Sequence, residues 1–349
     1  MFRGSIPPLP TPFRRGRLDE EALRRLVERV VQGGSHGVSV GGTTGEPGTQ
    51  TLEERKRAIE VVLDQVAGRV PVIPGTGALR LEETLELTRF AKEAGAQGAM
   101  VIVPYYVKPN QEGLYRYFAE VARAVPDFPL LIYNIPGRAG VEIAPKTVGR
   151  LRRDFPNIVG LKHSSKDLEY LSHLFLEAGR DFLVFCGLES LTLPMMSLGA
   201  VGTIAATANW LPKEVALLCE KALAGDYQGA RELHFYLLEA NEAIFWDTNP
   251  IPLKTVLSWM GLLEKEWRPP LGPTTPEVEE RLRRMAERYG VLPKEKEEER
   301  SSPAFSPREG STRGFTGKAS SWTRRGRPTG PRTSPGSSPS PRGRSWAWP

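Results

Sequence analysis

Along residues 1–293, short apolar runs rich in valine, isoleucine and leucine alternate with longer segments whose apolar positions recur every three or four residues. The short runs read as buried strands and cover 7–11, 37–40, 70–75, 99–104, 130–135, 158–162, 182–187 and 202–206. The longer segments read as amphipathic helices at 19–32, 52–66, 81–94, 111–125, 145–155 and 167–178. Their starts carry capping chemistry: Asp19 opens the first, and Thr51 is followed three residues later by Glu54, the spacing of a capping box. Eight strands alternating with helices predict an α/β fold, a closed parallel (β/α)8 TIM barrel over residues 1–208, because right-handed crossovers place each helix outside the sheet. Further helical patterns at 212–223, 227–245, 252–260 and 276–289 predict a C-terminal helical region over 209–293 that packs as an appendage. An open doubly wound sheet is the competing arrangement. Against it, Gly41-Gly42-Thr43-Thr44-Gly45 lacks the GxGxxG spacing of a dinucleotide site, and no Walker-type GKS or GKT occurs.

Composition changes abruptly after Glu299, where SSPAFSPREGSTRG and GPRTSPGSSPSPRG offer few aliphatic residues to bury. Residues 294–349 are therefore predicted to form a disordered, basic Pro/Ser/Arg-rich tail. A polyanion-binding role for this tail competes with a solvated extension, which composition favours, and the sudden change also suggests a frameshifted or appended continuation. Ten basic residues from Arg300 on face Glu309 alone, so they more than account for the formal charge of +6 and leave residues 1–299 at −3. The folded part has no electrostatic reason to bind nucleic acid. With only Cys186 and Cys219, and four histidines without an HExxH pair, neither a disulfide framework nor a metal site is expected. The N-terminal MFRGSIPPLPTPF lacks a long apolar core, and no apolar stretch is long enough to cross a bilayer, which predicts a cytoplasmic protein with no membrane partner.

Lys162 ends the apolar run Ile158-Val159-Gly160-Leu161. Burial disfavours the ammonium form and leaves the free amine that a carbonyl nucleophile needs, so this placement suggests a Schiff base. The alternative is a lysine that snorkels from the strand end to a carboxylate. In a barrel, polar residues at the C-terminal strand ends converge on one mouth. There the second strand leads into Gly41-Gly42-Thr43-Thr44-Gly45-Glu46, the fourth into Pro104-Tyr105-Tyr106, the fifth into Tyr133-Asn134 and the sixth into Lys162-His163-Ser164-Ser165. The glycines let the Thr43-Thr44 backbone approach a small carboxylate with its amides, or they form a plain βα turn. Taken singly, Tyr133 suits core packing and Arg138 suits a surface ion pair.

As an ordered set, GGTTGE, the tyrosine pair after a proline, YNIPGR, GLK, GTIAATAN and NPIPLK resemble the dihydrodipicolinate synthase and N-acetylneuraminate lyase family of Schiff-base pyruvate aldolases. The resemblance covers the chain up to the tail. It implies a class I lyase of the dihydrodipicolinate synthase type, working on a small 2-oxo acid and a carboxylated aldehyde, with no cofactor beyond the covalent Lys162 imine with pyruvate. It further implies that Tyr133 shuttles protons, that Thr44 is the middle of a hydroxyl relay, and that Tyr106 completes the relay from a neighbouring subunit of a homotetramer. Thr43 and Thr44 would hold the pyruvate carboxylate, the backbone of Ile204 would line the same pocket, and Arg138 would clamp the carboxylate of the second substrate.

The chain departs from the family's pattern at two places. His163-Ser164 stands where synthases of lysine biosynthesis usually carry Glu-Ala, and Cys186-Gly187-Leu188-Glu189-Ser190 replaces a Ser-Gly-Asp-Asp-like stretch. The electrophile is therefore argued from Arg138, whose fork fits a carboxylated aldehyde. Aspartate semialdehyde is the expected partner. Succinate semialdehyde is the alternative and would make the chain a 2,4-dihydroxyhept-2-ene-1,7-dioate aldolase. His163 is counted among the substrate-binding residues, with a hydrogen-bonded strand-end histidine as its other reading. Glu46 reads as an orienting group and Cys186 as a buried structural thiol. Outside enzymology stands a non-catalytic barrel acting as a binding module, which trapping at Lys162 would separate from an enzyme.

Overall fold

The structure, a computed structural model, describes residues 2–292. The tail expected over 294–349 lies outside them. Strand β1 (Gly4–Ser5) is followed by an antiparallel hairpin of β2 (Phe13–Arg14) and β3 (Arg17–Leu18). Strands β4 (Ala99–Ile102), β5 (Leu130–Asn134), β6 (Ile158–His163), β7 (Leu183–Cys186) and β8 (Gly202–Thr203) pair in parallel in the order β1-β8-β7-β6-β5-β4. Single parallel bridges Pro8–Ser39, Val38–Val72 and Gly75–Met100 close the gap between β1 and β4. Residues 38–40 and 72–75 are thus the second and third staves of a closed eight-membered barrel, with Gly75 N–H donating to the Val40 carbonyl at 2.7 Å and Met100 N–H to the Pro74 carbonyl at 2.8 Å.

Helices α1 (Glu20–Gln32), α2 (Leu52–Val66), α3 (Leu81–Glu93), α4 (Gln111–Ala124), α6 (Pro145–Asp154) and α7 (Glu169–Ala178) follow the expected periodicity; the short α5 (Pro136–Ala139) is inserted after β5, and the short α8 (Thr192–Ser197) is the seventh helix, between β7 and β8. The predicted caps form: Asp19 accepts the Ala22 amide at 3.0 Å, and Thr51 and Glu54 exchange both bonds of a capping box at 3.2 and 3.0 Å. Helix α9 (Pro212–Leu223) packs on β1, and Arg29 of α1 donates to the carbonyls of Asn209 and Trp210 just before it, at 3.0 and 2.6 Å. It is the eighth helix of the barrel. The boundary expected at 208 therefore moves beyond Leu223, because periodicity alone does not distinguish a helix that closes the ring from one appended to it. The appendage proper is α10 (Tyr227–Ala243), α11 (Ile251–Trp259) and α12 (Pro276–Arg288).

Alternate strand residues divide between two layers. Ile6, Met100, Leu131, Leu183, Phe185 and Ile204 fill the barrel interior, whereas Val101, Ile132, Leu161 and Val184 pack outward in the core shared with the helices. Tyr133 and Lys162 are directly paired in the β5–β6 register, and Lys162 pairs with Phe185 on β7. The two candidate residues therefore stand side by side at the C-terminal end of the barrel, facing in.

A fully buried ion pair joins the appendage to this end. Lys254 on α11 donates to Glu46 at 2.6 Å and to the Thr11 carbonyl at 2.9 Å, its amine stands 4.6 Å from the centre of the Phe13 ring, and both charged side chains are 0% exposed. Desolvation pushes the Lys254 amine below the usual lysine range, and Glu46 partly restores it. Lys254→Met leaves Glu46 buried without its counter-charge, so the free energy of unfolding should fall by roughly 3–5 kcal/mol. Denaturant titration of variant and parent at matched protein concentration measures the loss, and an unchanged midpoint would remove the pair from the account of stability.

Candidate active site

Lys162 is 5% exposed and lays its amine over the Tyr133 ring, 4.1 Å from the ring centre. Its stem occupies space that only glycine at 187 leaves open: a Cβ on Gly187 would come within 2.0 Å of Ser164 Oγ and 2.7 Å of Lys162 Cε. The Tyr133 hydroxyl accepts a long bond from Thr43 Oγ1 at 3.4 Å. Burial alone would push this phenol up, but the charge of Lys162 and the polar groups of Thr43, Ser164 and Lys162 outweigh it and hold Tyr133 below the ordinary tyrosine range.

The turn after the second stave is reversed by Gly41, whose φ of +74° suits glycine, and continues as a 3₁₀ turn over Thr43–Gly45. As its first residues, Thr43 and Thr44 carry amides with no acceptor inside the turn. The Thr44 hydroxyl accepts from Asn249 Nδ2 at 3.0 Å, and the Asn249 carbonyl accepts from Arg138 Nη2 at 3.2 Å. Arg138 lies exposed on α5 at the rim.

A cavity of about 370 Å³, including its open mouth, is lined by Thr43, Thr44, Tyr133, Arg138, Lys162 and Ile204. Six of the eight expected residues thus share one space. A neighbouring cavity of about 560 Å³ is also bordered by Tyr133 but excludes Lys162, and its buried Arg55 is committed to the Gly75 and Gly77 carbonyls at 2.9 and 3.2 Å. Of the two, only the first holds the Lys162 amine.

His163 is a correction. It is 0% exposed, stacks 4.5 Å from the Tyr170 ring, and places Nδ1 3.3 Å from Asn134 Nδ2 and Nε2 3.0 Å from the Asp167 carbonyl. Strand alternation turns position 163 outward when 162 faces in, so His163 binds no substrate from this cavity. Desolvation holds its imidazole below the usual range, with the Asp167 carbonyl bond opposing. Tyr106 also stands outside the cavity of the single chain. It is 85% exposed with φ of +72°, a conformation uncommon for a bulky side chain. Cys186 is buried, its thiol pushed up to about 12 by desolvation, as a structural thiol would be.

Three further polar residues lie in the lining: Ser164, Glu189 and Asn249. Asn249 opens the NPIPLK run, whose presence was a signal without an assigned role. Glu189 lies in the segment that departs from the family's pattern.

The model of the dihydrodipicolinate synthetase family matches residues 1–289. A 4-hydroxy-tetrahydrodipicolinate synthase of Thermus thermophilus is 99% identical over 297 residues, which are 85% of this chain and 99% of that one. The crystal structure of dihydrodipicolinate synthase from Aquifex aeolicus superposes with a TM-score of 0.82 at 46% identity, covering 84% of this chain and all of the other. A chloride-inhibited dihydrodipicolinate synthase from Acinetobacter baumannii, crystallised in complex with pyruvate, gives a TM-score of 0.81 at 37% identity over 84% of this chain and 100% of that one.

Gly187→Ala inserts a methyl group where Ser164 and Lys162 already stand, so it should displace the lysine while the outer core stays packed. Trapping of pyruvate on the protein by borohydride should fall at least about tenfold, the scale of about 1.4 kcal/mol of misplacement. Trapping at the parent rate would show that the lysine stem has room to move.

Proposed function

The chain belongs to the dihydrodipicolinate synthetase family, and from that premise we propose that it is a 4-hydroxy-tetrahydrodipicolinate synthase that joins pyruvate to aspartate semialdehyde through an imine on Lys162. The observation that carries this reading is the buried, inward Lys162 beside Tyr133 in a cavity rimmed by Arg138. The near-identical relative bears the synthase name, so the succinate semialdehyde alternative is not favoured, and a lysine so disposed argues against a mere binding module.

The chemistry needs no external cofactor. Lys162 attacks the pyruvate carbonyl, and the protonated imine that results withdraws electrons from the methyl carbon. Loss of a methyl proton gives an enamine whose carbon attacks the aldehyde. Tyr133, held below its ordinary range, takes and returns protons beside the lysine. The free amides of Thr43 and Thr44 receive the pyruvate carboxylate, with Ile204 against its other side. The exposed fork of Arg138 receives the carboxylate of the semialdehyde.

In the relay, Thr43 stands nearer Tyr133 than the hydrogen-bonding pattern places Thr44, whose hydroxyl is engaged by Asn249. Because Thr44 accepts from that amide, its own proton is free to donate into the cavity. Tyr106 reaches the site of a neighbouring subunit in a homotetramer; its exposure and strained backbone, with Val107 also exposed beside it, support that role. The cytoplasm is the proposed compartment, in keeping with two free, buried cysteines, and no described helix is long and apolar enough to cross a membrane.

Borohydride reduction with pyruvate should label Lys162 in the parent and leave Lys162→Ala unlabelled and inactive; normal turnover by that variant would sink the mechanism. Arg138→Ala separates the two halves of the reaction. It should form the pyruvate imine normally while kcat/KM for aspartate semialdehyde drops roughly ten- to a hundredfold, the worth of a charge-assisted contact of about 1.5–3 kcal/mol. An unchanged kcat/KM would place carboxylate recognition elsewhere.

A further inference from the structure

Glu189 begins the 3₁₀ turn Glu189–Leu191 that follows β7, and it is 5% exposed. Oε1 accepts the Ala206 amide at 2.7 Å, which pins the carboxyl between the ends of β7 and β8. Oε2 is buried and has no hydrogen-bond partner among the described residues. The residue lines the Lys162 cavity. Tyr133 borders this cavity from β5 and Glu189 from the turn after β7, so two acids line it on either side of β6.

A half-satisfied carboxyl in so dry a place is costly to ionise until a cation appears beside it. We infer that Glu189 gives its proton to the departing hydroxyl when Lys162 forms its imine, and remains in the pocket as the counter-charge of the iminium. The inference rests on the imine reading of Lys162. The steps balance without another reactant. The Lys162 nitrogen bonds to the pyruvate carbonyl carbon, and a proton passes from nitrogen to oxygen to give a neutral carbinolamine. Its C–O bond then breaks, the hydroxyl leaves as water with the Glu189 proton, and the nitrogen lone pair becomes the second bond of C=N. One cation and one carboxylate replace two neutral groups. Tyr133 is left for the proton transfers at the methyl carbon.

Desolvation raises the Glu189 carboxyl above the ordinary range, opposed by its backbone bonds and by Lys162, so it keeps its proton to higher pH than an exposed glutamate. The ionisable groups around it are Lys162 from β6, Tyr133 from β5, Cys186 from β7 and Arg138 from the rim. The buried side chains of α8 and α10, which pack on this turn, are not titratable.

Glu189→Gln keeps an acceptor for the Ala206 amide and removes the proton. Borohydride trapping of pyruvate over time, without the aldehyde, isolates the step. At mildly acidic pH the variant should trap about 10²-fold more slowly than the parent, the usual worth of a general acid. The deficit should shrink as pH rises, because the parent carboxyl then has no proton to give and differs from the glutamine only by the counter-charge it offers the iminium. Equal rates at every pH, or a deficit that does not change with pH, overturn the inference. If the glutamine variant does not fold, as judged by circular dichroism, Glu189→Ala takes its place. Added formate should then restore trapping most strongly at acidic pH, and failure to restore it counts against the acid role. A parent enzyme that traps no pyruvate overturns the imine reading itself, whereas a parent that traps and a glutamine variant that matches it overturn only the role of Glu189.

Discussion

The mouth of the barrel depends on the contact between Lys254 and Glu46, each with its side chain removed from water and each compensated chiefly by the other. Such a pair adds little net stability compared with apolar packing, but neither charge can move without stranding its partner. Glu46 ends the Thr43–Gly45 turn with φ of +55°, and the Gly45 carbonyl before it accepts from Thr11 and Gln50 at 2.6 and 2.5 Å. The turn is thereby held on one side by the lysine of α11 and on the other by the barrel. Asn249, just before α11, adds the bond to Thr44. The appendage is therefore part of the wall of the site rather than a passenger on the barrel.

Inside that wall, the electrostatics follow from exclusion of water. A cavity lined by Ile204, Tyr133 and the lysine stem gives little solvation to a new charge, so each step must find its compensation in fixed groups. The phenol of Tyr133 is drawn below its ordinary range by Lys162, and the carboxyl of Glu189 is driven above its own by burial. Opposite shifts in two neighbouring acids are what a site needs if one is to work with its proton held back and the other with its proton ready to leave. Glycine at 187 leaves the lysine stem its place, since any side chain there would collide with Lys162 and Ser164.

Most of the barrel was legible because its helices carry strong periodicity: the expected bounds of α2 and α9 match the structure at both ends. Strands were less sharply defined. The third stave is interrupted by Pro71 and Pro74, which cannot donate to a ladder, so only isolated bridges survive there. The first stave pairs from Gly4 rather than from residue 7, and the hairpin at 13–18, with Arg15 and Gly16 both at positive φ, went unread. Among the site residues, those on strand ends were legible from position and resemblance. The Asn249–Thr44 bond links residues 205 apart, and no local pattern signals a contact of that span. Position 163 is different, because strand alternation already implied that His163 faces away once Lys162 faces in.

That alternation also narrows where the second substrate is recognised. Since His163 packs against Tyr170 behind the sheet, its difference from the family's usual glutamate alters the packing between β6 and α7, not the surface that an aldehyde meets. Of the two segments that depart from the pattern, only Ser164, Gly187, Leu188 and Glu189 line the cavity. Ser164 is committed to the Gly187 carbonyl at 3.1 Å, and Leu188 has no polar group to offer an amine. Recognition of the amine of aspartate semialdehyde then falls to the rim and to whichever carboxylate faces it. Glu189 becomes such a carboxylate only after the imine has formed, so an electrophile bearing an ammonium group would be favoured at the moment when the enamine is ready to use it.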